Sequence, residues 1–340
     1  MALNKKKHRK NSVEEVAETE IEVDSEVVGE ASEEDDNDSE EAVQREKEER
    51  QKQRRQIIDR NSKSYKIITT ILSALGLYFG FYFFPQMFFI IFSNDALQNS
   101  GTLKLLCSIM GFFVYFFYLL NHYLRKQKKN PDAESIPEIL EFYPRSIQAK
   151  PALLCAVTGF CMNLSTSALL AVLPIPESII GDYSAGTESL LYTDNIALSL
   201  VYIVILAPLC EETMFRGFLL HTLQKAFPEK VAVIVVAIAF ALPHIHPLWI
   251  LVALFSSYFF TLIRWRYKNL MYPLIMHAGF NLATVPMLLL MNKPAYTVLF
   301  DNIIAELVYL IFGGLTVFFC LKTLLDDVKE NNVVIGYKIR

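Results

Sequence analysis

Charge is scarce over most of this 340-residue chain, and cysteine is scarcer. Residues 1–64 hold 19 of the 36 acidic and 13 of the 32 basic residues, leaving 17 and 19 for everything after them. A segment so poor in charge cannot present a uniformly solvated surface, so the charge-poor part is read as membrane-embedded. Five cysteines (Cys107, Cys155, Cys161, Cys210 and Cys320) all fall in apolar stretches. An odd number in hydrocarbon excludes a disulfide framework, and without a CxxC pair there is no metal knuckle. They read as small buried hydrophobes. HExxH is missing too, which removes the helical zinc signature. No cleavable signal peptide is visible, because the first apolar run begins near Tyr65. No nucleic-acid partner is expected.

What is present divides into two regimes. Lys5–Lys10 is a short basic cluster, and Glu14–Glu41 is acidic without a single basic residue. Such a composition buries too little apolar surface to offset chain entropy, so residues 1–64 are expected to be a disordered cytoplasmic tail, a possible contact for a cytoplasmic partner. Glu41 to Arg60 favours helix without an apolar face, and basic residues run from Arg45 to Lys63. These basic residues form a positive-inside anchor or an attraction for anionic lipid.

Beyond the tail, about 20 apolar residues are needed to cross ~30 Å of hydrocarbon. Eight stretches qualify as candidate spans: Tyr65–Phe92, Leu103–Tyr123, Ala152–Leu173, Ile196–Leu220, Val231–Leu242, Leu248–Ile263, Leu270–Met291 and Ile303–Leu325. The fold class is therefore an all-α polytopic bundle of about eight transmembrane helices. Two N-terminal spans and a cytoplasmic loop occupy 65–149, the functional core 150–325, and a C-terminal tail 326–340. The fifth and sixth stretches are short and only five residues apart. They are either two full spans or one re-entrant pair, and loop charge favours two spans. Lys and Arg crowd the loops 124–151, 221–230 and 264–268 but are missing from 93–102, 174–195 and 243–247. That alternation predicts cytoplasmic N- and C-termini. Trp249 and Trp265 bracket the sixth stretch as interfacial aromatics do.

Ionisable groups inside these spans stand out. Glu211 and Glu212 lie side by side in the fourth span, where a charge costs on the order of 2.5–3.5 kcal/mol. At about 1.5 Å per residue, Glu211 lies ~18 Å from the cytoplasmic end, His244 ~20 Å, His277 ~10 Å and Asn281 ~16 Å. Groups from three spans thus reach one slab. Glu212 and Arg216 are four apart with the acid N-terminal, the better order for a helical ion pair. Their pairing would leave Glu211, about 100° round the helix, as the unpaired carboxylate. Phe240 and His244 share a face, as do His277 and Asn281. His246 lies round the helix and nearer external water, with no partner expected. Such a set suits an enzyme, although an ion-coupled transporter also places Glu and His at midmembrane.

Glu211-Glu212-Thr213-Met214-Phe215-Arg216 is an EExxxR motif, Phe240 to His244 fits FxxxH, and His277 to Asn281 fits HxxxN. In that order on separate spans they resemble the CPBP intramembrane proteases, which include the type II CAAX prenyl endopeptidases and the bacteriocin-processing or immunity proteins. The resemblance covers roughly residues 150–325. It implies Glu211 as the catalytic carboxylate, His244 and His277 as active-site histidines, Asn281 as the polar residue closing the third motif, and Glu212, Arg216 and Phe240 in support. It also implies peptide-bond hydrolysis of a membrane-associated peptide or protein: a prenylated-type C-terminus, a peptide pheromone or a bacteriocin precursor. Glu211 would take a proton from water, His244 would hold that water, and His277 with Asn281 would stabilise the oxyanion. A metal version is equally compatible, with Zn²⁺ on Glu211, His244 and His277. A non-proteolytic scaffold or immunity protein is the alternative within the family. A bacterial cell membrane is the expected location.

The loop-charge pattern has a direct test. A topology reporter fused after Arg340 is expected on the opposite face from one inserted near Asp182. Finding both on the same side would reject the eight-span topology.

Overall fold

The computed structural model describes residues 43–52, 63–93, 100–181, 195–290 and 293–330. The rest of the expected tail 1–64, most of the loop 174–195 and the end of the 326–340 segment lie outside the described residues. Two compact units divide the chain, Met1–Ser62 and Lys63–Arg340. In the first, 43–52 is an exposed helix with an i,i+4 ion pair, Arg50 to Glu46 at 2.8 Å. It has no apolar face, as its sequence implies.

In the second unit every described regular element is helical. We label them α1 (Lys63–Phe92), α2 (Gly101–Lys129), α3 (Ile136–Leu140), α4 (Ala149–Val172), α5 (Ile196–Leu223), α6 (Glu229–Ala241), α7 (Pro247–Tyr267), α8 (Met271–Leu290), α9 (Pro294–Phe300) and α10 (Ile303–Asp327). Seven of them are long and apolar enough to cross a membrane among the described residues: α1, α2, α4, α5, α7, α8 and α10. The all-α membrane bundle is thus borne out.

The fifth stretch, expected as the span Val231–Leu242, is the one that is too short to join these seven. The α-helical part of α6 is 13 residues, ~20 Å by helical rise, and it passes into a 3₁₀ turn at Leu242–His244. Pro243, which has no N–H to donate, sits in that turn. The sixth stretch is longer than its apolar run suggested, because α7 runs through the polar Arg264-Trp265-Arg266 to Tyr267. Trp265 donates from its indole Nε1 to Glu229 at 2.5 Å, and Lys268 Nζ reaches the same carboxylate at 3.4 Å. These contacts fix the start of α6 beside the end of α7. The two form an antiparallel hairpin in which α6 and its 3₁₀ turn follow α7 along most of its length.

Two apolar clusters build the core. One joins α1, α2, α5 and α6 through Phe81, Phe112, Tyr115, Phe215, Phe218 and Phe240, with Phe81 stacked on Phe112 at 4.6 Å. The other joins α4, α7, α8 and α10 through Cys155, Phe260, Tyr272, Met276 and Leu324. On the side of the α2–α4 loop, buried Asn269 ties that loop to the turn before α8. Its amide donates to the Tyr143 carbonyl at 3.0 Å and to Ser146 Oγ at 3.1 Å, and its Oδ1 accepts from Met271 N at 3.1 Å. Ser135 and Glu138 make a capping box on α3. Hydrogen bonds from the Ser135 N–H and hydroxyl hold the Glu138 carboxyl below the usual glutamate range.

Two glycines set the approach of α4 to α8. A Cβ on Gly159 would fall far inside contact distance of the Met276 carbonyl, and one on Gly279 would meet the Ala156 carbonyl. The helices therefore cross backbone to backbone, as small residues allow in membranes. Met276 precedes His277, so this crossing sets the depth of the imidazole. Gly279→Val is expected to force the helices apart and to lower the thermal midpoint of the purified protein, at a cost on the order of 1–3 kcal/mol. An unchanged midpoint would show that the crossing is looser than these contacts indicate.

Candidate functional site

The polar residues singled out by the motifs meet between the two apolar clusters. Their backbone is unusual. Helix α5 is α-helical over Ala207–Glu212 but π-helical before it, at Tyr202–Leu206, and after it, at Thr213–Leu219. A π segment widens the turn and leaves carbonyls poorly matched to their own helix. Asn281 Nδ2 on α8 donates to the Ile203 carbonyl in the first π segment, at 2.8 Å. Asn281 thereby clamps α8 to the stretch that leads into the glutamates.

Glu212 and Arg216 pair as expected. Arg216 Nη1 lies 2.9 Å from Glu212 Oε1, and both side chains are fully buried. The rest of the guanidinium is satisfied by a partner that the motifs do not reveal, helix α7. Nε donates to Thr261 Oγ1 at 3.2 Å, and Nη2 donates to Ser257 Oγ at 2.6 Å and to the Ser257 carbonyl at 3.3 Å. Phe240 packs on one part of the cation at 4.5 Å, and Phe260 lies 5.5 Å from it. Ser257 and Thr261 are four apart on one face of an apolar span, a signal that was legible but unread. Phe260 is hidden among many phenylalanines.

His277 links the two glutamates. Its Nδ1 donates to Glu212 Oε1 at 2.8 Å, and its Nε2 faces Glu211 Oε2 at 3.6 Å. Phe260 stacks on the ring at 4.9 Å, and Phe240 meets it edge-on at 5.8 Å. Glu212 Oε1 thus accepts from both Arg216 and His277. A carboxylate can only accept, so the proton of this bond resides on Nδ1 and Nε2 is turned towards Glu211. Exposure separates the two acids: the Glu211 side chain is 29% accessible, against 0% for Glu212 and 6% for His277.

His244 belongs to the same assembly, although it sits in the 3₁₀ turn rather than on a continuing α-helix. Its ring lies 5.4 Å from Phe240, and its Nδ1 meets the Ala241 carbonyl at 3.2 Å. That contact puts the proton on Nδ1 and leaves Nε2 as an acceptor. His246, expected without a partner, has one. Its Nδ1 accepts from the Leu248 N–H at 3.3 Å, capping α7, and its ring faces Trp249. The reason is local: Ile245 adopts a positive φ of 59°, which ends the first helix and leaves His246 at the start of the next.

The donors implied for zinc are Glu211, His244 and His277. Among the described residues no three His, Cys, Asp or Glu side chains come together closely enough to hold a metal ion. His277 Nδ1 is also occupied by Glu212. As arranged, the set does not fit a three-ligand site.

Residues 193–283 match the family model described as type II CAAX prenyl endopeptidase Rce1-like. All three motifs fall inside this segment, which supports the resemblance to the CPBP/CAAX intramembrane proteases. No curated protein and no solved structure matches the chain.

The buried pair generates a double-mutant test. Arg216→Met should cost about 3–5 kcal/mol, because it strands the Glu212 carboxylate away from water. Combining it with Glu212→Gln should recover part of that loss, read as the thermal midpoint of the purified protein. If the double variant is as unstable as the sum of the single ones, the two residues act independently and the pairing carries no coupling.

Proposed function

We propose that this membrane protein, whose segment 193–283 is of CAAX-type endopeptidase kind, hydrolyses a peptide bond within the bilayer with Glu211 as its base. The observation that carries the reading is the split between the acids. Glu212 is locked by Arg216 and His277, while Glu211 alone of the pair keeps accessible surface.

The chemistry follows from the hydrogen-bond roles. A carboxylate that keeps accessible surface and carries no ion-pair lock is placed to act as a general base. Glu211 takes a proton from a water molecule while His244 Nε2 accepts that water's second hydrogen and aims its oxygen. The oxygen attacks the carbonyl carbon, and the C–N bond breaks as Glu211 returns the proton to the departing amine. His277 is the positioning group. With Nδ1–H on Glu212, its Nε2 can carry a proton opposite Glu211 and donate it as a hydrogen bond to the developing oxyanion. Asn281 enters this scheme as a clamp rather than an oxyanion donor, because one of its amide hydrogens is committed to Ile203.

Substrate class is read from the surroundings. An apolar cavity of about 440 Å³ lies between α2 and α5, lined by Phe112, Phe116, Phe117, Tyr202, Leu209 and Cys210. Cys210 adjoins Glu211 in sequence. A cavity of this lining favours a membrane-associated peptide or protein with a long apolar group beside its cleavage site. Among the candidates, a prenylated-type C-terminus fits that description best, in line with the prenyl endopeptidase family that segment 193–283 matches.

Glu211→Gln keeps the shape and removes the base. It should lower cleavage of an intramembrane reporter substrate by at least about 10²-fold, within the range general bases contribute, without changing the amount of protein in the membrane. Activity should also survive exhaustive chelation. Normal turnover by Glu211→Gln, or loss of turnover on chelation with recovery on adding zinc, would overturn the mechanism.

A further inference from the structure

On the side of the α2–α4 loop, α1, the end of α2 and the end of α5 enclose a second cavity of about 490 Å³. Its lining differs from that of the apolar cavity. Lys126, Lys225 and His122 contribute cationic or titratable groups, and Thr70, Ser73 and Thr222 contribute hydroxyls. Lys126 belongs to the last turn of α2, and Lys225 follows α5 by two residues. Thr70 and Ser73 lie in the second and third turns of α1, about 10–15 Å from its start by helical rise. Three membrane-crossing helices thus bring polar groups together beside the ends of α2 and α5.

Two features point to the ligand. Lys126 and Lys225 face the same space closely enough to repel one another. Burial holds the Lys225 ammonium below the usual lysine range; Glu134 opposes this and Lys126 adds to it. Glu134 is itself engaged by His221 at 2.9 Å. An anion between the two lysines removes their repulsion and accepts their hydrogen bonds. The second feature is the outer surface of α1 in the same turns. Ile68, Leu72 and Leu75 are large, apolar and exposed, with Leu72 62% accessible. A free anion needs no such surface, whereas a phospholipid lays its acyl chains along it.

We propose that this cavity binds the phosphate of an anionic phospholipid, with the acyl chains lying against α1. The site stands apart from Glu211 and holds whatever the outcome for catalysis. Lys128 and Lys129 share the last turn of α2 with Lys126 but do not line the cavity, so they provide a matched control.

Native mass spectrometry of the full-length chain in detergent, titrated with phosphatidylglycerol or phosphatidylcholine, tests this. Phosphatidylglycerol should be retained and phosphatidylcholine released. Lys126→Gln with Lys225→Gln should weaken retention by about thirtyfold, roughly fivefold for each charge removed. Lys126→Arg with Lys225→Arg should keep it, which separates lost charge from lost fold. Lys128→Gln with Lys129→Gln should change it little. Equal retention of both lipids, or undiminished phosphatidylglycerol retention by the double glutamine variant, would overturn the proposal. Displacement of phosphatidylglycerol by equimolar inorganic phosphate would overturn it in favour of a free anion. Zero-length carbodiimide crosslinks from Lys126 or Lys225 to acidic residues of 14–41, unaffected by the lipid, would overturn it in favour of the chain's own acidic segment.

Discussion

Burying an arginine and a glutamate at bilayer depth imposes a demand that the rest of the core meets for Arg216, while Glu212 Oε2 is left without a hydrogen bond. An isolated charge there costs several kcal/mol, and the mutual attraction of a pair offsets this only if the remaining donors and acceptors are also satisfied. Arg216 meets that condition through three helices. Its own α5 supplies Glu212, α7 supplies Ser257 and Thr261, and the rings of Phe240 and Phe260 cover the cation from α6 and α7. Moving any of these helices exposes a polar group to hydrocarbon. The ion pair is therefore as much a register device for the bundle as a component of its site.

The same constraint produces the functional asymmetry. Because Glu212 Oε1 accepts from both Arg216 and His277, the imidazole is fixed in orientation and its other nitrogen is aimed at Glu211. Two adjacent glutamates of identical chemistry thereby acquire different surroundings, one fully buried in the core and one partly accessible. The π-helical segments on either side contribute by rotating the glutamate turn relative to the helix ends, and Asn281 holds that geometry through the Ile203 carbonyl. The close crossing of α4 and α8 at Gly159 and Gly279 then fixes how far His277 reaches.

Much of this was legible in the sequence because its physical signals are local. Hydrocarbon thickness fixes how long an apolar run must be, so the long helices could be read off directly. The i,i+4 spacing of Glu212 and Arg216 fixes a shared face, and the EExxxR, FxxxH and HxxxN motifs named residues that the fold brings close together. What the linear pattern could not supply was distance between spans. Whether Asn281 faces a reacting atom or a backbone carbonyl depends on a π segment about 78 residues away in the chain. That Ser257 and Thr261 hold Arg216 depends on how α7 lies against α5. His246 acquired a partner because Ile245 takes a positive φ, which residue type alone does not announce for a β-branched side chain.

The sequence by itself therefore determined the medium, the helical class and the identity of the polar groups, since each follows from composition or from spacing along one helix. The tertiary structure decided which partner each group took. It lengthened α7 through its arginines, because Glu141 and the Leu140 carbonyl receive Arg264 and Glu229 receives Trp265. It carried the end of α6 into a 3₁₀ turn, because Pro243 has no N–H to continue the α-helical ladder, and so set where His244 lies. It also set two neighbouring carboxylates apart, because only packing among several helices can bury one fully and leave its neighbour partly accessible.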